Sequence, residues 1–107
     1  MKKTMNKKSC VLTAIVKNNL DLLNRHIIVL KALQKKQPMS ISELSEITGY
    51  LQHNIRYSLQ ILEQEGLIVP SIQGAVTTEN IDDIIIRLKN STREVIAGYS
   101  KLLKKLE

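Results

Sequence analysis

Three glycines, Gly49, Gly66 and Gly74, cut the stretch from Gln37 to Thr78 into pieces whose lengths leave little choice of fold. Ahead of Gly49, Leu44 and Ile47 stand three apart, the spacing of one short helix whose inner side they form. Ser42 can cap it, and Ser40-x-x-Glu43 also fits a capping box, so its start is open by two residues. Gly49 supplies the left-handed residue that ends it. From Gln52 to Glu65, Ile55, Leu59 and Leu62 recur at intervals of four and three, the inner stripe of a longer helix stopped at Gly66. Leu67-Ile68-Val69 and Ala75-Val76-Thr77 then read as two strands joined across Ser71-Ile72-Gln73-Gly74, with Pro70 tolerable on a sheet edge. Met39 to Ile41 can add a short third strand.

The flanks are helical. Residues 1–8 read as a basic arm. Ser9 is placed to cap a first helix carrying Val11, Leu12, Ile15 and Val16, which Asn18-Asn19 interrupts. A second helix follows to Lys36, with Leu23, Ile27, Leu30 and Leu33 as one apolar stripe, and Pro38 prevents its continuation. Beyond Thr78, Ile81, Ile85, Leu88, Thr92, Val95, Tyr99, Leu102 and Leu106 alternate at intervals of four and three for almost four heptads. That is a coiled-coil seam on a helix of about 40 Å. Its distal half projects too far for so small a domain to cover, so these eight positions are the expected homodimer interface. The rival is a helix broken near Asn90-Ser91-Thr92 and folded back as a hairpin. The division is 1–8 as arm, 9–78 as domain and 79–107 as dimerisation helix, and the class is mainly α with a small β-hairpin.

Composition narrows the function. The chain of 107 residues has no Trp, no Phe and three Tyr, so its core is Leu, Ile and Val. A single cysteine, Cys10, rules out an internal disulfide and a Cys-based zinc site of the usual kind. The apolar run from Cys10 to Val16 is too short to span a bilayer and no small-residue cleavage site follows it, so the expected location is cytoplasmic, off the membrane. Catalysis is not expected. His26 and His53 lack partners at ligand spacing, and Asp82-Asp83 diverge by about 100° on a helix, so they suit its positive end better than a shared proton. Neither a metal nor a cofactor is called for.

Charge is unevenly placed. Residues 1–36 hold nine Lys/Arg against Asp21, whereas residues 37–78 hold Arg56 alone against Glu43, Glu46, Glu63 and Glu65. Attraction to phosphates must therefore come from the flanks, mainly Lys2, Lys3, Lys7, Lys8, Lys35 and Lys36. On the longer central helix, the side away from Ile55, Leu59 and Leu62 presents Gln52, His53, Asn54, Arg56, Tyr57 and Gln60. Solvated helix faces usually carry Lys and Glu. Arg suits a guanine edge, Asn and Gln an adenine edge, Tyr and His a phosphate or a stacked base.

Three strings, Ser42-Glu-Leu-Ser-Glu-Ile-Thr-Gly49, Ile55-Arg-Tyr-Ser-Leu-Gln-Ile-Leu-Glu-Gln-Glu-Gly-Leu-Ile68 and Gly74-Ala-Val-Thr-Thr78, resemble the winged helix-turn-helix of archaeal and bacterial transcriptional regulators. The multiple-antibiotic-resistance and arsenical-resistance types are the nearest in pattern, over about residues 20–78. The resemblance implies a homodimer on double-stranded DNA at a pseudo-palindromic operator, with helix 52–65 in the major groove and hairpin 67–78 as a wing. On that pattern Gln52, His53, Asn54, Arg56, Tyr57 and Gln60 fall at base- or phosphate-contacting positions, supported by Lys35 and Lys36. Two other readings stay open: an architectural chromatin-type protein with a coiled-coil tail, and a winged-helix protein-interaction module of the transcription machinery, favoured by the acidic balance of residues 37–78. No small-molecule effector is demanded by any residue.

Overall fold

The computed structural model describes residues 10–107, so the arm at 1–8 and the Ser9 cap lie outside the described residues. Helix α1 spans Val11–Lys35, α2 Ile41–Thr48 and α3 Gln52–Gln64; strands β1 (Ile68–Ser71) and β2 (Gly74–Thr77) follow, then α4 (Ile81–Leu106). The mainly helical class with a two-stranded hairpin and a long final helix is as the sequence led us to expect.

Two helices that the sequence suggested could be broken are whole. Helix α1 runs through Asn18-Asn19 without interruption. Two asparagines lower helix propensity by only about 1 kcal/mol together, whereas a break requires a second nucleus with a statistical weight of about 10⁻³. Helix α4 likewise continues through Asn90-Ser91-Thr92. There Thr92 Oγ1 donates back to the Leu88 carbonyl at 2.8 Å and Arg93 donates to Asn90 Oδ1 at 3.0 Å, so each polar side chain is satisfied within the helix.

Helix α2 starts at the earlier of its two candidate caps. Ser40 Oγ accepts from the Glu43 amide at 3.2 Å while Glu43 Oε1 accepts from the Ser40 amide at 3.0 Å, a reciprocal capping box. That backbone hydrogen bond holds the Glu43 carboxyl below its usual pKa. Gly49 closes the helix with φ +83°, donating to the Ser45 carbonyl at 2.9 Å. The turn that follows is pinned by side chains: Ser45 Oγ donates to the Tyr50 carbonyl at 2.6 Å, and the Tyr50 amide donates to Thr48 Oγ1 at 3.3 Å. Helix α3 begins at Leu51 with no side-chain cap.

The hairpin is antiparallel, with Ile68 opposite Thr77 and Ser71 opposite Gly74. The expected third strand is a single bridge. Met39 and Ala75 exchange two backbone hydrogen bonds, 3.3 and 3.0 Å, which tie the α1–α2 connection to β2. Helix α1 packs on α2, α3 and β2, and α3 packs on α2 and β1. Val29, Leu30, Leu33, Met39, Leu44, Ile55, Leu62, Leu67, Ile68 and Ala75 form the aliphatic core so enclosed. The described residues up to Thr77 make one compact unit and Thr78–Glu107 a second, which carries one helix. No described helix is long and apolar enough to cross a membrane.

Candidate nucleic-acid interface

Helix α3 has a core side and a free side, and the boundary between them can be read from its helical angles. Ile55 and Leu62 are buried, Leu59 is half-buried, and between them lies a polar residue, Ser58, with no exposed surface at all. His53, Arg56, Tyr57 and Gln60 are exposed and fall within an arc of about 100° on the opposite side, at 100° per residue. Gln52 and Asn54 flank that arc instead of sharing it. Gln52 is exposed on one edge, its Nε2 donating to Ser42 Oγ at 3.3 Å, which ties it to α2. Asn54 is half-buried on the other, where with Asn18, Asp21, Arg25 and Tyr50 it lines a shallow polar cleft of about 370 Å³. Lys35 and Lys36, both exposed, sit at the far end of α1.

The residues that hold this face in place were not legible as a group in the sequence. Arg25 Nε donates to Ser58 Oγ at 2.8 Å, and His26 Nδ1 lies 2.8 Å from the same oxygen. A serine hydroxyl has one hydrogen, and Arg25 can only donate, so the set closes when Ser58 donates to an unprotonated Nδ1. The imidazole is pushed below its ordinary pKa, first by burial and then by the Arg25 charge, which favours that neutral form. The Arg25 guanidinium also lies over the Tyr57 ring, 5.7 Å from its centre, and the His26 ring centre is 6.0 Å away, so one side of Tyr57 is engaged while the residue remains 46% exposed. A buried serine thus anchors α3 to α1 through the Arg25 guanidinium and a neutral His26 imidazole, and this fixes the rotation of α3 about its axis. No buried side-chain polar atom among the described residues lacks a partner.

A pH dependence follows. The unfolded chain, with His26 near its ordinary value of 6.5, binds more protons than the folded chain between that value and the lowered one. Stability should therefore fall as pH drops through 6.5, and a His26→Asn chain should show a flatter profile. Urea midpoints taken from pH 7.5 down to about 5.5, above the range where Glu43 titrates, check this. Parallel profiles for the two chains would remove His26 as the source.

The hairpin carries no basic residue from Leu67 to Thr78, and Ile72 at its tip is fully exposed beside half-exposed Val69. Ser71 Oγ donates across the turn to the Gly74 carbonyl, so the tip is held closed. Among the described residues no group of three or more His, Cys, Asp or Glu is gathered as a metal ion would need.

Two helices joined by a glycine-ended turn, the second with its outer side free and a hairpin beside it, make a winged helix-turn-helix. Residues 25–69 match the family model described as Bacterial regulatory protein, arsR family. The match begins at Arg25 in α1, takes in α2 and α3 and ends in β1; it agrees with the winged helix-turn-helix geometry and supports a DNA-binding transcriptional regulator. A comparison with curated proteins finds no match to the chain.

Proposed function

We propose that the protein is a sequence-specific transcriptional regulator that binds double-stranded DNA as a homodimer, with α3 in the major groove and the hairpin as its wing. The observation that carries this is the free arc of His53, Arg56, Tyr57 and Gln60 on a helix whose other side is locked by Ile55, Ser58 and Leu62. Arg56 makes no hydrogen bond or ion pair among the described residues, so its five donors are available to a guanine edge. Gln60, one turn on, would reach the neighbouring base, and Gln52 and Asn54, at the two edges of the arc, would reach the strands on either side. Lys35 and Lys36 supply phosphate attraction that α3 and the hairpin lack. The seam of Ile81, Ile85, Leu88, Thr92, Val95, Tyr99, Leu102 and Leu106 would join two copies and set the half-site spacing at about 34–36 Å per helical turn of DNA.

Selection from a random DNA pool at stated salt tests the reading. A regulator should prefer its site over random DNA by about 10³ or more. On the selected site Arg56→Ala should lose about 1–3 kcal/mol of binding and relax the preference at one position. An unchanged affinity would take Arg56 off the reading face. The uncharged hairpin and its exposed Ile72 favour a second reading, a module that binds protein through the wing. In that case no DNA complex should form even at low salt, where electrostatic contacts are strongest.

A further inference from the structure

Between α3 and the hairpin lies a cleft of about 400 Å³, within the size range of small-molecule sites. Its floor is aliphatic: Met39, Ile68 and Ala75 are buried there and Leu59 is half-buried. Its rim on the α3 side is a polar ladder, Arg56, Gln60 and Glu63, at intervals of four and three along one edge of the helix. Arg56 and Glu63 stand about 10.5 Å apart along the axis, at 1.5 Å per residue. The cleft therefore has a cationic end and an anionic end over an apolar floor. An apolar floor suits a hydrocarbon and not a sugar-phosphate chain, since a phosphate set there would lose hydration with no donor beneath it.

We propose that this cleft binds a small amphipathic carboxylate, its hydrocarbon on Leu59, Ile68 and Ala75 and its carboxylate on the Arg56 guanidinium. Arg56 is the one cation between residues 37 and 78, and it is without an ion pair among the described residues, so the ligand has no internal competitor for it. Glu63 repels the carboxylate from the other end and so fixes the orientation. Gln60, between them, can donate a second hydrogen bond to the head group. Occupancy engages Arg56 at the cleft rim, so the ligand competes with DNA wherever Arg56 reads a base. That consequence rests on the DNA-binding reading; the site itself does not.

The test is a titration of the isotope-labelled chain of residues 1–107 with octanoate, octanol and octylamine, followed by the backbone amide signals of Leu59, Gln60 and Ala75, without DNA. Octanoate should bind saturably and shift those signals, with octanol at least about tenfold weaker, the loss of one charge-assisted contact, whereas octylamine, repelled by Arg56, depends on Glu63 instead. Arg56→Gln should bring octanoate down to the level of octanol while leaving octanol unchanged. Glu63→Gln, an exposed change, should let octylamine alone weaken further. Equal binding of octanoate and octanol, shifts confined to α1 or α4, or no saturable binding would each overturn the site. Competition is then read separately, as displacement of the selected DNA by octanoate. A saturable site without displacement keeps the carboxylate cleft and removes Arg56 from the DNA face.

Discussion

A Gly74→Ala chain should unfold at a markedly lower urea midpoint than the parent, with a loss of about 2–5 kcal/mol, the sum of backbone strain and overpacking. Gly74 has φ +135°, a conformation that side chains rarely adopt. A Cβ placed there would also lie under 3.0 Å from the Met39 carbonyl group, which is backbone and cannot swing aside. Met39 is held because it exchanges hydrogen bonds with Ala75 and is itself buried. The substitution therefore forces apart the bridge that ties the α1–α2 connection to the hairpin, and with it the floor of the cleft beside α3. Gln73→Ala, one residue earlier on the exposed turn, should be nearly neutral and serves as control. A Gly74→Ala midpoint equal to that of the control would show that the hairpin tip can reseat without cost.

Much of the α2–α3–hairpin unit could be read from residues because its signals are local. Gly49 and Gly66 both take positive φ at the ends of their helices, and the Ser40–Glu43 box sets the start of α2. Each is a short-range demand that the surroundings do not override. The continuity of α1 was not legible, because Asn18-Asn19 is a weak local signal against helix and the gain from an unbroken hydrogen-bond ladder is collective. Ser58 was missed for a different reason. It lies three residues after Ile55 and four before Leu62, on the apolar stripe itself, where a hydroxyl must find a partner. That demand was visible in the spacing; its answer, Arg25 and His26, 33 and 32 positions away, was set by tertiary packing. The same packing splits the six expected reading residues into a free arc of four and two flanking ones, a distinction that turns on Asn54 facing α1.

Paired substitution of Val95→Asp and Leu102→Asp should convert a dimer to monomers by sedimentation while leaving the monomer folded. Both side chains are about half exposed in the single chain, 52% and 51%, so an aspartate at either costs little more than helix propensity. They stand seven residues apart on one side of α4, with Tyr99 between them and Leu106 beyond, all exposed. In a paired seam each carboxylate would be desolvated without a partner, a penalty of several kcal/mol per ion, so four of them across two chains exceed what a helical seam of this length supplies. Gly98 flanks the same stripe with open space around it, which lets a partner backbone approach closely. On the proposed dimeric DNA-binding reading a monomer would contact one half-site, so affinity for a palindromic site should fall to that for a single half-site, while the base preference proposed for Arg56 and Gln60 should persist. A dimer that survives the double substitution would place self-association elsewhere, and the exposed run Val11, Leu12 and Ile15 at the start of α1 is the next surface to change.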